Sequence, residues 1–400
     1  MYNVYQHWDP LKVCIVGRSY NPEFYSFIKN DRVRVVLERI AKETEEDYQK
    51  LITLLESFGV KVLRPDVIDD YKYYLNKKTG KIKPPPMTPR DYSIMLGDEF
   101  LFSANSSPTI EQHWELVKGA DWPSVPPSTY QEFLQLPELV KKEINDMCGD
   151  ISDYENADGN LDYSRRIGID DVTWGSVLKE IKEKNTILSH VSECQAGANA
   201  ATITRIGKDL YHGTTETERD VSEKIKQLAE LYPQYRWHGV DTEGHSDGSF
   251  CPVVPGLIVS LYEIQNYTET FPGWEVVYLP EQRWDGVRPF LNLKEKNKGK
   301  WWVPGEELND DFTEFVEGWL EHWVGYVEET VFDVNMLVID KKNVVCNNYN
   351  KEVFEAFERH GVTPHIINFR HRYFWDGGLH CITSDVHREG VMEDYFPERK

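Results

Sequence analysis

Residues 335–369, with the sequence NMLVIDKKNVVCNNYNKEVFEAFERHGVTPHIINF, contain the elements of a complete α/β unit. Two short apolar runs flank the polar segment 340–343, a pattern that predicts a β-hairpin. A helix is predicted at Lys351–His360, and Gly361 is a natural residue to end it because glycine readily adopts the left-handed backbone conformation. The run 362–369 then predicts a strand. One segment therefore predicts hairpin, helix and strand in that order.

The same order of elements recurs along the chain, although the repeats share little sequence. Three further hairpins are predicted, at 92–103, 200–212 and 250–260. Further helices are predicted at 32–58, 130–147 and 218–231. Single strands are predicted at 11–17, 60–63, 235–240 and 274–278. Helices between strands predict α/β layering, and the unpaired strands near both chain ends predict that these ends pair and close one ring of units.

The composition limits the classes of function. The chain has 400 residues, and its 12 Trp, 22 Tyr and 17 Phe can contribute to a sizeable core. A net charge of -22 disfavours binding to nucleic acid or to an anionic membrane, because both carry negative charge. The six cysteines include no CxxC pair, which predicts reduced thiols. Without a membrane-length apolar run or signal-peptide features, we expect a soluble cytoplasmic protein.

A nucleophilic cysteine is the first functional candidate, in the segment 376–385, DGGLHCITSD. The glycine pair can bring the backbone close to a ligand, and Cys381 is expected inside a short strand that displays its thiol above a cleft. A catalytic thiol needs a lowered pKa and a base within reach. A small cysteine in a strand is also often only a buried core residue, so this segment alone leaves both interpretations open.

His245 and Asp247 form the second candidate group, just before the hairpin predicted at 250–260. Residues two apart in extended backbone point to one side, so the imidazole could act as general acid and base while the carboxylate binds a cation. Asp91, which follows Pro-Arg into an earlier hairpin, is a third candidate. Each of these residues is also typical of a solvated loop or a turn.

Together these segments resemble the amidinotransferases, that is, the glycine and inosamine-phosphate amidinotransferases of the guanidine-modifying, or pentein, superfamily. The resemblance rests on the order of five segments: WDPLKVCIVG at 8–17, GVKVLRP at 59–65, PRD at 89–91, HSDGSF at 245–250 with PG at 255–256, and GGLHCITSDV at 377–386. It covers the strands at both ends and most of 190–390, and is poor across 104–190. It implies a pentein-type α/β propeller, with five ββαβ units around a pseudo-fivefold axis. One domain would span 1–400, with a variable excursion around 104–190.

The resemblance also implies a mechanism. Cys381 attacks the guanidinium carbon of a donor such as arginine, His245 moves protons to the leaving amine, and an amine acceptor then attacks the amidino-cysteine. Asp91 and Asp247 would hold the guanidinium through charge-assisted hydrogen bonds. The expected partners are therefore a small guanidine donor and an amine acceptor, and a homo-oligomer is compatible with the sequence. We expect these four residues to converge in one central cleft.

No cofactor or metal is expected. His380, Cys381 and His387 have the residue types of a metal site, but adjacent residues on a strand point to opposite sides. This geometry disfavours joint binding of one ion.

One departure from the family pattern concerns the partner of the catalytic histidine. Thr202 stands where the resemblance places an aspartate that orients the histidine, and an asparagine holds the earlier acidic position. Asn199 and Glu243 are therefore the candidate partners of His245.

A second departure concerns recognition of the donor or acceptor. Ile264 stands where the resemblance places an arginine that binds a carboxylate, and no Lys or Arg occurs from Ser246 to Gln282. Nearby polar positions correspond to Glu328 and Glu329. An unusual donor or acceptor would account for this pattern, as would an arginine supplied by another unit.

Two alternatives to a transferase remain open. A hydrolase of the same superfamily, of the arginine or agmatine deiminase type, would use water in place of the acceptor amine. A catalytically silent binding protein on this fold is the other alternative, and the threonine at position 202 is its main support.

Overall fold

A computed structural model describes the fold for most of the chain. The described residues are 1–75, 80–102, 114, 121–148, 151–155, 158–161, 171–188, 200–214, 221–242, 245–261, 267–279, 303, 305–306, 308–320 and 333–399.

Five three-stranded sheets form the body of the described structure. The strands are β1 (Leu11–Val16), β2 (Lys61–Leu63), β3 (Ser93–Leu96), β4 (Glu99–Phe102), β5 (Ile187–Leu188), β6 (Ile203–Ile206), β7 (Asp209–Thr214), β8 (Arg236–Asp241), β9 (Phe250–Val254), β10 (Leu257–Ser260), β11 (Glu275–Tyr278), β12 (Leu337–Asp340), β13 (Asn343–Cys346), β14 (Thr363–Ile366) and β15 (Thr383–Arg388).

Every sheet has the same pairing. A middle strand pairs antiparallel with one neighbour and parallel with the other, in the orders β15–β1–β2, β3–β4–β5, β6–β7–β8, β9–β10–β11 and β12–β13–β14. This repetition confirms the predicted ββαβ units and the pentein-type α/β propeller. The first sheet joins the two ends of the chain, since Ile15 of β1 pairs with Ser384 of β15. The predicted closure of the ring is therefore confirmed.

In each unit at least one helix connects the middle strand to the parallel strand, and other helices precede an antiparallel outer strand. The helices are α1 (Asp31–Ser57), α2 (Pro89–Tyr92), α3 (Tyr130–Leu134), α4 (Glu138–Cys148), α5 (Asp171–Lys182), α6 (Val221–Leu231), α7 (Ser246–Ser249), α8 (Tyr267–Thr270), α9 (Asp310–Trp319), α10 (Lys351–His360) and α11 (Arg372–Trp375). Short 3₁₀ helices lie at Pro22–Phe27, Ile151–Tyr154 and Ala200–Thr202. No helix of these ranges is long and apolar enough to cross a membrane.

The predicted helix at 130–147 is wrong as a single element. The chain forms α3 and α4 instead, and Pro137 lies between them. Proline lacks an N–H donor, and it disfavours helical backbone in the residue before it, so it ends the first helix. Residues here pack into an apolar cluster of their own: Trp114, Trp122, Phe133, Val140, Ile144, Ile151 and Leu161. This cluster lies within the predicted excursion, between β4 and α5.

Candidate active site

The candidate site residues all precede the antiparallel outer member of a sheet. Asp91 lies on α2 just before β3, and Asp247 lies on α7 just before β9. Asn335 and Cys381 precede β12 and β15 in the same way. The backbone N–H of Arg90 donates to the carbonyl of Cys381 at 3.3 Å, so the segments before β3 and β15 are in direct contact.

A buried ionic cluster joins these strands beneath the site. The carboxylate of Asp385 on β15 accepts hydrogen bonds from Arg90, Arg205 and Arg388 at 2.6–2.7 Å. All four side chains are 2% exposed or less. Burial raises the pKa of Asp385, but the three guanidinium groups more than offset it and hold the pKa well below its ordinary value.

The same three arginines also bind main-chain carbonyls of other units. Arg205 donates to Met95 on β3, and Arg388 donates to Val338 on β12. These bonds fix β3, β12 and β15 relative to one another, and with them the segments that carry the candidate residues.

Cys381 lies in a turn rather than inside a strand, so that part of the prediction is wrong. The amide of Ile382 donates to the carbonyl of Gly378, and the hydroxyl of Thr383 donates to the carbonyl of Leu379. These bonds coil the segment, and β15 begins only at Thr383. The thiol is 1% exposed. Its neighbours are polar, since Sγ lies 3.2 Å from Asn335 Nδ2 and 3.4 Å from Asp247 Oδ2.

Asp247 connects the thiol to a second histidine. Its Oδ2 lies 2.7 Å from Nδ1 of His380, and the ring of His380 stacks on that of His7. Burial raises the pKa of Asp247, but the hydrogen bond and charge of His380 and the charge of His245 bring it below the ordinary value. The carboxylate is therefore ionised beside the thiol.

The extended backbone predicted for His245–Asp247 is also wrong. Asp247 lies in the short helix α7, and His245 is the N-cap residue that precedes it. The hydroxyl of Ser246 donates to the carbonyl of Ala201, and that of Ser249 donates to the carbonyl of Thr242. These bonds within the chain coil the segment, so its side chains do not follow the period of a strand.

Asp91 and His245 form the part of the group that is open to solvent. Nδ1 of His245 lies 3.9 Å from Oδ1 of Asp91, and the two side chains are 27% and 29% exposed. Burial raises the pKa of Asp91, which His245 opposes and Asp247 reinforces. Asp91, His245 and Asp247 thus lie within electrostatic range of one another.

The thiol of Cys381 is protonated in this resting arrangement. Burial raises its pKa, the charges of Asp247 and Asp91 raise it further, and the hydrogen bond from Asn335 opposes them. The pKa lies well above its ordinary value, so the S–H donates to Asp247. The structure therefore brings Cys381 into the same group as both predicted aspartates.

Several predicted residues lie outside the described part of the chain. These are Asn199, Glu243, Ile264, Glu328 and Glu329. Thr202 is described, and its hydroxyl lies 3.3 Å from Nε2 of His212. Within the described ranges, no group of three or more His, Cys, Asp or Glu side chains could hold a metal ion.

Sequence reasoning missed two residues of the site. Asn335 was considered only as the start of a hairpin, and His380 only as a metal ligand. The available signal was positional, because Asp91, Asp247 and Asn335 each stand a few residues before the first strand of a hairpin. A polar residue at that place in three of the five units predicts a shared site.

Sequence similarity connects the chain to two named proteins over part or most of their length. The sequence matches no protein-family model. It is 22% identical to the mitochondrial glycine amidinotransferase of Xenopus tropicalis, over 98% of this chain and 84% of that protein. It is 21% identical to the L-arginine:L-lysine amidinotransferase of Pseudomonas savastanoi pv. phaseolicola, over 52% of this chain and 48% of that protein. The chain resembles the amidinotransferases.

Solved structures of amidinotransferases share the fold. The inosamine-phosphate amidinotransferase of Streptomyces griseus aligns with a TM-score of 0.56 and 17% identity, covering 99% of both chains. SxtG, an amidinotransferase of the saxitoxin biosynthetic pathway from Microseira wollei, aligns with a TM-score of 0.53 and 19% identity over the same shares. The chain thus shares the pentein fold of these amidinotransferases.

Proposed function

We propose that the protein transfers an amidino group from a guanidine donor to an amine acceptor through an amidino group bound to Cys381. L-arginine is the leading donor, since one relative is named as an arginine:lysine amidinotransferase. One observation carries the proposal. Among the residues that the structure describes, Oδ1 of Asp91 and Oδ1 of Asp247 are buried atoms without a hydrogen-bond partner, and the charges of both carboxylates act on the thiol.

A guanidinium group suits these two oxygens. A buried acceptor without a donor is unfavourable, and a planar guanidinium carries five N–H donors that can bind carboxylates in charge-assisted pairs. Its positive charge would also oppose the field of Asp91 and Asp247, which raises the pKa of Cys381 in the resting protein. Donor binding would therefore favour the thiolate that the chemistry needs.

The proposed transfer has two balanced steps. In the first, His245 takes the thiol proton, Sγ of Cys381 bonds to the guanidinium carbon, and His245 gives the proton to the leaving nitrogen as its C–N bond breaks. In the second, the acceptor amine bonds to the same carbon and loses a proton to His245. The C–S bond then breaks, and the proton returns to sulfur.

The first test uses arginine without any acceptor. We expect intact-mass and peptide mass spectrometry to find one amidino group on Cys381 and free ornithine in equal amount. The matched control is Cys381→Ser, which keeps the size of the side chain and should carry no adduct. Adding a competent amine should discharge the adduct and yield a new guanidino compound with ping-pong kinetics.

Other outcomes would contradict the proposal in distinct ways. Catalytic formation of citrulline and ammonia without an amine would indicate a deiminase. If arginine gives neither adduct nor product, agmatine is the next donor, because Ile264 stands where the resemblance places a carboxylate-binding arginine. Failure of every guanidine in a folded protein would leave a binding protein.

A further inference from the structure

Asn335 connects the nucleophile, its backbone and the neighbouring aspartate. Its Oδ1 accepts hydrogen bonds from the amides of His380 at 2.8 Å and Cys381 at 3.1 Å. Its Nδ2 donates to the main-chain carbonyl of Asp247 at 3.1 Å and to Sγ of Cys381 at 3.2 Å. The side chain is 0% exposed. One carboxamide thus uses both lone pairs and both N–H bonds.

This network determines which way the amide faces. Two backbone N–H groups can point only at an acceptor, so the atom facing His380 and Cys381 is the oxygen. The atom facing the carbonyl of Asp247 and the sulfur is then the nitrogen, and one of its N–H bonds points at Sγ. An N–H donor at this distance stabilises a thiolate more than a thiol.

Gly378 makes room for this arrangement. A Cβ placed on Gly378 would lie 2.6 Å from Oδ1 of Asn335 and 2.7 Å from its Cβ, which is closer than real contacts allow. The backbone carrying the thiol can therefore approach Asn335 only with glycine at position 378.

We propose that Asn335 is a positioning residue, which fixes the turn of Cys381 and stabilises its thiolate through the N–H bond to sulfur. This inference rests on the proposed function, in which that thiolate is the nucleophile. It assigns a role in the reaction to a residue that does not itself exchange protons with the donor.

The test compares Asn335→Asp with wild type. Aspartate keeps an oxygen for the two backbone amides but replaces the N–H groups by an acceptor facing the sulfur. We expect the rate of Cys381 alkylation by iodoacetamide at fixed pH, followed by peptide mass spectrometry, to fall about tenfold, which is the effect of one unit of thiol pKa. Amidination by arginine should fall at least as much, with little change in the KM for arginine.

If Asn335 had a purely structural role, its substitution should raise the rate of Cys381 alkylation. A loosened turn would expose the thiol and speed alkylation, and that result, or an unchanged rate, would overturn the inference. The matched control is Asn309→Asp, because Asn309 also accepts a backbone amide and donates to a main-chain carbonyl, but between α9 and α1. It should alkylate at the wild-type rate.

A second variant keeps the inference testable if Asn335→Asp does not fold. Gly378→Ala retains the asparagine, but the added methyl group moves its N–H away from Sγ, so amidination should fall. Slower alkylation in this variant would support the inference, and faster alkylation, the sign of a loosened turn, would count against it. Alkylation needs no donor, so it tests Asn335 even if no guanidine reacts with the wild-type protein. Normal amidination of Cys381 combined with unchanged alkylation in both variants would reject the inference and leave the proposed function intact.

Discussion

Asp247 has two opposing effects on the thiol that it contacts. In the resting protein its negative charge, like that of Asp91, raises the pKa of Cys381 and keeps the sulfur protonated. In the proposed complex the same charge would hold the guanidinium that the sulfur attacks. One carboxylate would thus protect the resting thiol from oxidation and alkylation, which both require thiolate, and prepare the donor for attack.

Substitution of Asp247 should separate these two effects. In Asp247→Asn we expect faster alkylation of Cys381 without donor, because the charge that raises the thiol pKa is gone. Amidination by arginine should instead weaken by about 2–5 kcal/mol in transition-state stabilisation, the usual effect of removing one partner of a buried charge pair. Rates of both reactions, measured on the same preparation, check the prediction.

The control and the contradicting result come from the other carboxylate. Asp91→Asn should slow amidination in the same direction, and its effect on alkylation should be smaller because Asp91 is the weaker influence on the thiol pKa. Unchanged amidination in both variants would show that the guanidinium binds elsewhere.

At the scale of elements, the sequence predicts those hairpins and helices whose formation depends on residues close together in the chain. The hairpins turn at Gly97, Gly207 and Gly256, which all have positive φ, and the helix predicted at Lys351–His360 has those bounds. The coiled segments before β9 and β15 were missed. Their backbone bonds depend on side chains elsewhere, as when Ser246 reaches Ala201.

The candidate site also contains residues that local sequence reveals and one residue that only a contact between distant segments reveals. Cys381, His245 and the two aspartates could be gathered from motifs whose residue types fit one chemistry. Asn335 could not, because its role depends on a contact with Cys381, 46 residues away, and its own residue type suggests no chemistry. A site residue that acts only through hydrogen bonds can be identified from the three-dimensional structure, which shows its contacts.

Substitution by alanine should change the free energy of unfolding in opposite directions at Gly361 and Gly318. Gly361 ends α10 with φ of 71°, whereas Gly318 lies within α9 with no positive φ, and a Cβ would meet nothing at either position. Gly361→Ala should lower the free energy of unfolding by about 1 kcal/mol, because alanine disfavours left-handed backbone. Gly318→Ala should raise it by about 0.5–1 kcal/mol.

Urea denaturation midpoints measure this pair, and amidination should stay at the wild-type rate in both variants. Equal shifts in the same direction would contradict the assignment, since the space around the two positions is alike and only the backbone conformation differs.

At the scale of the whole molecule, the ring of units closes around one carboxylate. Asp385 lies on β15, the strand that joins the two ends of the chain, and its three arginines come from segments far apart in sequence. The central cluster therefore depends on the correct placement of three units at once. It also supplies positive charge beneath a site that contains two carboxylates.

Replacement of Asp385 should destabilise the whole fold. Asp385→Asn leaves three guanidinium groups that are at most 2% exposed without their counter-charge, so we expect a loss of about 3–5 kcal/mol in the free energy of unfolding. The matched control is Asp209→Asn. Asp209 is equally buried, but its partners Arg236 and Arg399 are 12% and 18% exposed and can be rehydrated, so a smaller loss is expected.

The pH dependence of the free energy of unfolding tests the role of Asp385 independently. Because the folded pKa of Asp385 lies well below its ordinary value, its contribution to stability is complete above the unfolded pKa of about 3.9 and is lost as pH falls through the folded pKa. Wild-type stability should therefore fall steeply with acid below about pH 4. Asp385→Asn, which cannot take up that proton, should lose less stability over the same range. Chemical denaturation at a series of pH values measures both slopes, and parallel slopes would show that Asp385 is not the carboxylate on which acid stability depends.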